Sequence, residues 1–262
     1  MDLSDTYANA PYILDAEQYP PRWAASAAAY RDEMTARGRL RAGLPYGEGT
    51  REAFDLFLPE GRAKGLAMFV HGGFWLAFGR EDWSHLAAGP VARGWAVALP
   101  SYDLCPAVRI SQITTQVARA VTAAAAEVPG PIRLTGHSAG GHLVARMLAP
   151  GMLPEAVAAR LAHVMPISPL SDLRPLMQTG MNEKFGLDAA EAWAESPIAM
   201  PAPELPVTVW VGSEERPAFL DQARWLAEAW GCGLVDAPGR HHFDVIDGLT
   251  DPESAMTGAL LA

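Results

Sequence analysis

Short, almost continuously apolar runs recur along the chain, and stretches with helical spacing separate them. Leu66–Val70 and the segments 95–99, 163–167 and 207–211 lack the alternation of a half-solvated strand. They read instead as strands covered on both faces. Segments 52–58 (closed by Pro59), 132–135 and 233–235 complete the predicted strands. Between them, segments 82–93, 110–127, 142–148 and 220–230 predict helices, the second stopped by Val128-Pro129-Gly130. Upstream, residues 1–21 read as an extended arm and 23–37 as an Ala-rich helix, with Pro21 at its start and Gly38 at its end. This alternation predicts an α/β fold: a mostly parallel central sheet flanked by helices, with any ligand along the edge formed by the C-terminal strand ends. Residues 168–200 break the rhythm and read as a small cap or lid inserted into one domain spanning 1–262.

Composition narrows the partners. With 262 residues, 50% hydrophobic and 19% charged, the chain can bury a large core and is not disordered. Twenty Lys and Arg against thirty Asp and Glu give a net charge of −10 without any basic cluster, which argues against nucleic acid or an anionic membrane surface. The N-terminus is acidic and lacks the pattern of a secretory signal, and no apolar run approaches the roughly 18–20 residues that span a bilayer. A cytoplasmic protein acting on a small molecule is expected. Cys105 and Cys232 match no metal-ligand spacing; they read as two buried free thiols, with one long-range disulfide as the alternative.

The strongest chemical signal is Gly136-His137-Ser138-Ala139-Gly140, which leaves a predicted strand and enters a predicted helix. That context suits a nucleophilic serine on a tight turn, with glycines where a Cβ would meet neighbouring backbone. His71-Gly72-Gly73-Phe74-Trp75 follows another apolar strand and can supply N–H groups to a tetrahedral oxyanion. Gly73, Phe74 and Ala139 are the expected donors, and His71 is expected to brace the loop. A base and an orienting acid should follow the serine in chain order. His242, next to Phe243, is the favoured base, with His241 beside it. Glu215 is the favoured acid, three residues beyond Gly212, with Glu214 and then Asp172 as alternatives; Asp244 reads as a helix start. No metal or cofactor is expected. Phe74, Trp75, Phe78 and Trp83 read either as core packing or as an aromatic wall, in which Trp75 and Phe78 would line the substrate pocket.

With these residues in view, the chain resembles the α/β-hydrolase superfamily, and within it the kynurenine formamidase (arylformamidase)-like esterases. The resemblance rests on His71-Gly72-Gly73-Phe74-Trp75 and on Ser101-Tyr102-Asp103-Leu104-Cys105-Pro106. It also rests on residues 168–197, with Ser171-Asp172-Leu173-Arg174-Pro175-Leu176, Thr179, Asn182 and Ser196-Pro197. Tyr7-Ala8-Asn9 and Leu44-Pro45-Tyr46-Gly47 fit as well, so it covers nearly the whole chain. The family's acid maps onto Glu215, through Glu215-Arg216-Pro217-Ala218-Phe219 and Gln222, and its histidine onto His242. Glu in place of the more familiar Asp, and a second Glu beside it, are departures. The resemblance implies an α/β-hydrolase fold, a homodimer, and cleavage of an N-formyl aryl amide in tryptophan breakdown. The expected activity is that of a serine hydrolase removing a small acyl group from an ester or aryl formamide through acyl-Ser138. A short-chain thioesterase with the same residues and a non-catalytic hydrolase-fold binding protein are the alternatives.

Overall fold

In the computed structural model, which describes residues 2–262, the apolar runs form one eight-stranded sheet. Its strands are β1 (Leu40–Pro45), β2 (Ala53–Phe57), β3 (Leu66–Val70), β4 (Ala96–Pro100), β5 (Ile132–His137), β6 (Leu161–Ile167), β7 (Thr208–Gly212) and β8 (Gly233–Ala237). The spatial order is β1-β2-β4-β3-β5-β6-β7-β8. The pairs β1–β2 and β2–β4 are antiparallel, and every later pair is parallel. Seven strands fall where the apolar pattern placed them. β1 was not anticipated. It is an edge strand that buries no residue fully and whose register shifts between Arg41 and Leu44, so it has no apolar alternation to betray it.

All five residues of β3 and of β4 are buried, and successive side chains enter two different cores. Leu66, Met68 and Val70 join one core with Ile113, Val117, Leu143 and Phe219; Ala67 and Phe69 join the other with Trp23, Trp83, Leu86 and Met256. Period-two side chains between two layers of helices therefore explain why these strands are apolar throughout. The first core lies beneath the helices Ile110–Glu127, Ala139–Arg146 and Pro217–Trp230, and the second beneath Tyr19–Ala36 and Ala255–Leu261.

Two segments depart from expectation. The arm is not extended: it winds through turns at Ala10–Tyr12 and Ala16–Gln18 and runs directly into the helix Tyr19–Ala36. That helix starts ahead of Trp23 because Pro20 and Pro21 occupy its first turn, where no N–H partner is needed. Segment 82–93 splits into a 3-10 helix, Arg80–Ala87, and a short α-helix, Ala88–Ala92. Residues 168–200 form short helices joined by irregular stretches, and their Leu170, Leu173, Leu176 and Phe185 are buried in the first core. Cys105 and Cys232 are both free, the first buried and the second only half-buried. Among the described residues, no helix is long and apolar enough to cross a membrane.

Candidate active site

Ser138 sits between the end of β5 and the helix Ala139–Arg146, at φ 57° and ψ −117°. A non-glycine residue holds such a backbone only where its surroundings leave no alternative. Here a Cβ on Gly140 would overlap the Val70 carbonyl, and one on Gly136 would overlap the Gly140 carbonyl. The turn is pinned by Ser138 N donating to Ile167 O at 2.8 Å and His142 N donating to Ser138 O at 3.0 Å. Ser138 is 2% exposed, and what remains accessible faces a cavity.

His242 lines the same cavity. Its Nδ1 lies 2.6 Å from Glu215 Oε2, so the carboxylate fixes the tautomer and leaves Nε2 free. Glu215 is in turn held rigidly, its Oε1 accepting from Gly212 N at 2.9 Å and from Ser168 Oγ. The His242 ring packs between Phe219, at 4.2 Å between centroids, and His137, at 4.6 Å. Ser138 Oγ has no protein hydrogen-bond partner among the described residues. Contacts of this kind are often long before substrate binds.

The competing candidates point elsewhere. Glu214 is exposed, and its backbone N–H donates to Arg240 O. Asp172 is taken up by Arg174, 2.7 Å from its guanidinium. His241 Nε2 meets Tyr19 OH at 3.0 Å, and Asp244 accepts from His241 N at 2.8 Å. His71 braces its loop as expected: Nδ1–H donates to Gly72 O at 2.8 Å, and its ring stacks on Tyr102 at 4.2 Å. Burial holds both His71 and His142 down to about 4. Burial, and then the charge His242 would carry, holds His137 well below the usual imidazole range. These three rings are therefore neutral at pH 7.

Gly73, Phe74 and Trp75 turn the loop with φ of 98°, 50° and 55°. The loop lies against the serine turn: a Cβ on Gly72 would come 2.8 Å from His137 O. The amides of Gly73 and Phe74 donate to no protein acceptor among the described residues. Ala139 N–H opens its helix, where no intrahelical acceptor exists. The three expected donors thus come from the two segments that flank Ser138.

The cavity measures about 330 Å³ and is mostly apolar. Phe74, Phe78, Trp83, Trp23 and Phe243 supply aromatic wall, and Asn9, Ala10, Pro20, Leu76, Ala77 and Met181 add to the lining away from the serine turn. Trp75 is a correction. It is fully buried, edge-on to His142 and Phe185 at 5.2 and 5.5 Å, and does not line the cavity. The turn sends Phe74 into the cavity and its neighbour into the core. Asn9, Trp23 and Met181 were not anticipated as lining, because segments far apart in sequence bring them here. No cluster of three or more His, Cys, Asp or Glu side chains is grouped to hold a metal among the described residues.

Comparison with known proteins agrees with the fold. A family model described as alpha/beta hydrolase fold matches residues 67–203. A crystal structure from Silicibacter sp. TM1040, provisionally described as a thioesterase, is 61% identical, covers 100% of both chains and superimposes with a TM-score of 0.98. The kynurenine formamidase of Salmo salar is 27% identical over 234 residues, 83% of this chain and 80% of that protein. A thermophilic esterase from Thermogutta terrifontis, 20% identical with a TM-score of 0.64 over 83% of this chain and 88% of its own, shares the fold.

Proposed function

The chain belongs to the α/β-hydrolase family, and we propose that it is a serine hydrolase removing a small acyl group from an aryl formamide or aryl ester. The supporting observation is that Ser138, the His242–Glu215 pair and the free amides of the Gly73–Phe74 loop converge on one wall of an aromatic cavity. His242 Nε2 takes the Ser138 proton as Oγ attacks the acyl carbon, since a serine hydroxyl is a poor nucleophile until a neutral imidazole assists it. The negative oxygen that forms is received by the N–H groups of Gly73, Phe74 and Ala139, donors worth about 3–4 kcal/mol each in comparable sites. Glu215 stabilises the imidazolium, which then protonates the departing amine or phenol. Water, activated by the same histidine, releases the acyl group from Ser138.

A cavity of about 330 Å³ with aromatic walls suits a single-ring leaving group joined to formyl or acetyl. Identity to kynurenine formamidases along most of the chain favours the formamide. A short-chain thioesterase is the second reading, favoured by the description of the 61% identical relative. Turnover of N-formylkynurenine, p-nitrophenyl acetate and acetyl-CoA, measured side by side on purified protein, separates the readings. A kcat/KM for the formamide above roughly 10⁴ M⁻¹s⁻¹ and ahead of the other two is expected. Thioester turnover leading by tenfold would replace the formamide reading with the thioesterase one.

A further inference from the structure

The side chains around the cavity are apolar, aromatic, or belong to the serine turn and its histidines, with one exception. Asn9 comes from the N-terminal arm, 6% exposed, and its carboxamide makes no hydrogen bond to any described residue; its Oδ1 is buried without a partner. Leaving such a group unpaired in an apolar wall costs about 1–3 kcal/mol. Asn9 also begins the Ala10–Tyr12 turn, where asparagine ordinarily uses its side chain to cap the backbone. It makes no such cap: its carbonyl accepts from Tyr12 N at 2.9 Å, and the residue lines the cavity.

The position of Asn9 is held by the residues that precede it. Two residues earlier, Tyr7 is 2% exposed, and its hydroxyl accepts from Gln222 Nε2 at 2.9 Å. The Tyr7 ring meets Phe219, which packs on the base His242. Further back, Leu3 N donates to Gln178 O at 2.8 Å, tying the arm to the inserted segment. A polar group placed this firmly, without a protein partner and in the pocket of the reactive serine, is arranged for a ligand.

We propose that Asn9 is a specificity-determining residue, whose carboxamide binds a hydrogen-bond donor carried on the aromatic leaving group, an amino or hydroxyl group on the ring or on its side chain. The proposal rests on the serine-hydrolase reading of the cavity and adds to it the substituent that the substrate must carry. Ring substrates lacking that donor leave the carboxamide unpaired and are discriminated against.

The test uses the purified full chain and its Asn9→Leu variant with hydroxyphenyl acetates and the matching tolyl acetates, in which methyl replaces hydroxyl. Intrinsic ester reactivity cancels when the hydroxyl-over-methyl ratio of kcat/KM is compared between the two proteins. That ratio is expected to fall about 3- to 30-fold in Asn9→Leu. The variant's Tm is expected to rise, because an unpaired amide leaves an apolar wall. A ratio unchanged within about twofold overturns the proposal even when both proteins cleave every ester, and a lowered Tm with that unchanged ratio makes Asn9 a structural residue. If the leucine variant does not fold, Asn9→Ala gives the same ratio by removing atoms only. If wild type cleaves only formamides, the same ratio is read on hydroxy- and methylformanilides; a wild-type protein that cleaves neither the acetates nor the formanilides removes the serine-hydrolase reading, and the role of Asn9 with it.

Discussion

The two walls of the cavity are built differently. The wall around Ser138 is backbone packed on backbone: the glycine turn after β5 lies against β3 and the Gly72–Gly73 loop, with no room for a Cβ at Gly136 or Gly140. The opposite wall, from the arm and the 168–200 segment, is held by scattered bonds between distant parts of the chain. Gly180 N donates to Ser4 Oγ at 2.8 Å, and Arg216 pairs with Asp5 at 3.2 Å while lying 3.5 Å from the Tyr12 ring centroid. The contrast teaches where each property resides. Reacting groups need positions fixed to fractions of an ångström, and only close-packed backbone supplies that. Substrate selection tolerates a wall tethered side chain by side chain.

Ser138→Ala breaks the first wall's chemistry without touching its frame. Turnover should drop by about 10⁴-fold or more with the fold retained; a loss of only a few-fold would exclude acyl-Ser138. Gly140→Ala attacks the frame instead: its new Cβ would meet the Val70 carbonyl, and we expect destabilisation above about 4 kcal/mol or no cooperative fold by thermal melting. A melt close to wild type would mean that the turn is far less crowded than the structure implies. Glu215→Gln should lower kcat by about 10²- to 10⁴-fold and Glu214→Gln by less than about threefold. Equal effects would end the assignment of Glu215.

Acid acts on the same wall from within. His71 and His142, held neutral at about 4 against an ordinary 6.5, bind protons in the unfolded chain that they do not bind when folded. Their contribution to stability is therefore complete above pH 6.5 and is lost as pH falls through about 4. Urea midpoints should decline across that window, with proton uptake on unfolding at pH 5; stability rising on acidification would contradict the burial. The smallest effect belongs to the second wall. Arg216→Ala removes an exposed ion pair and a ring contact worth about 1 kcal/mol together. It should raise KM a few-fold, speed proteolysis of residues 2–18 and leave kcat within about twofold. A loss in kcat as large as that of Glu215→Gln would erase the distinction between the walls.

Legibility followed the same division. The serine turn, the His-Gly-Gly loop and seven strands could be read because their residue types answer to local backbone demands. Glu215 and Glu214 could not be separated by spacing, since both follow the same strand. The Glu215 N–H bond to Gly212 O, at 3.2 Å, sets the turn that brings one carboxylate to His242 and leaves its neighbour in solvent. Trp75 was misplaced because a loop with three successive positive φ values does not follow strand or helix periodicity. The arm read as extended because Pro20-Pro21 signals a break and nothing nearby reveals what the arm packs against.

By itself, then, the order of residues determined the sheet's apolar strands, the tight turn at Ser138 and the His241–His242 pair near the C-terminus. Each answers to interactions within a few residues: alternation about a covered strand, glycine where a Cβ has no space, a helix beginning at Ala139. Only the tertiary structure decided that Asn9 and Met181 line the cavity, that Trp75 leaves it, and that Glu215 meets His242. Those outcomes depend on which distant segments pack together, and that is set by burial summed over the whole core rather than by any local pattern.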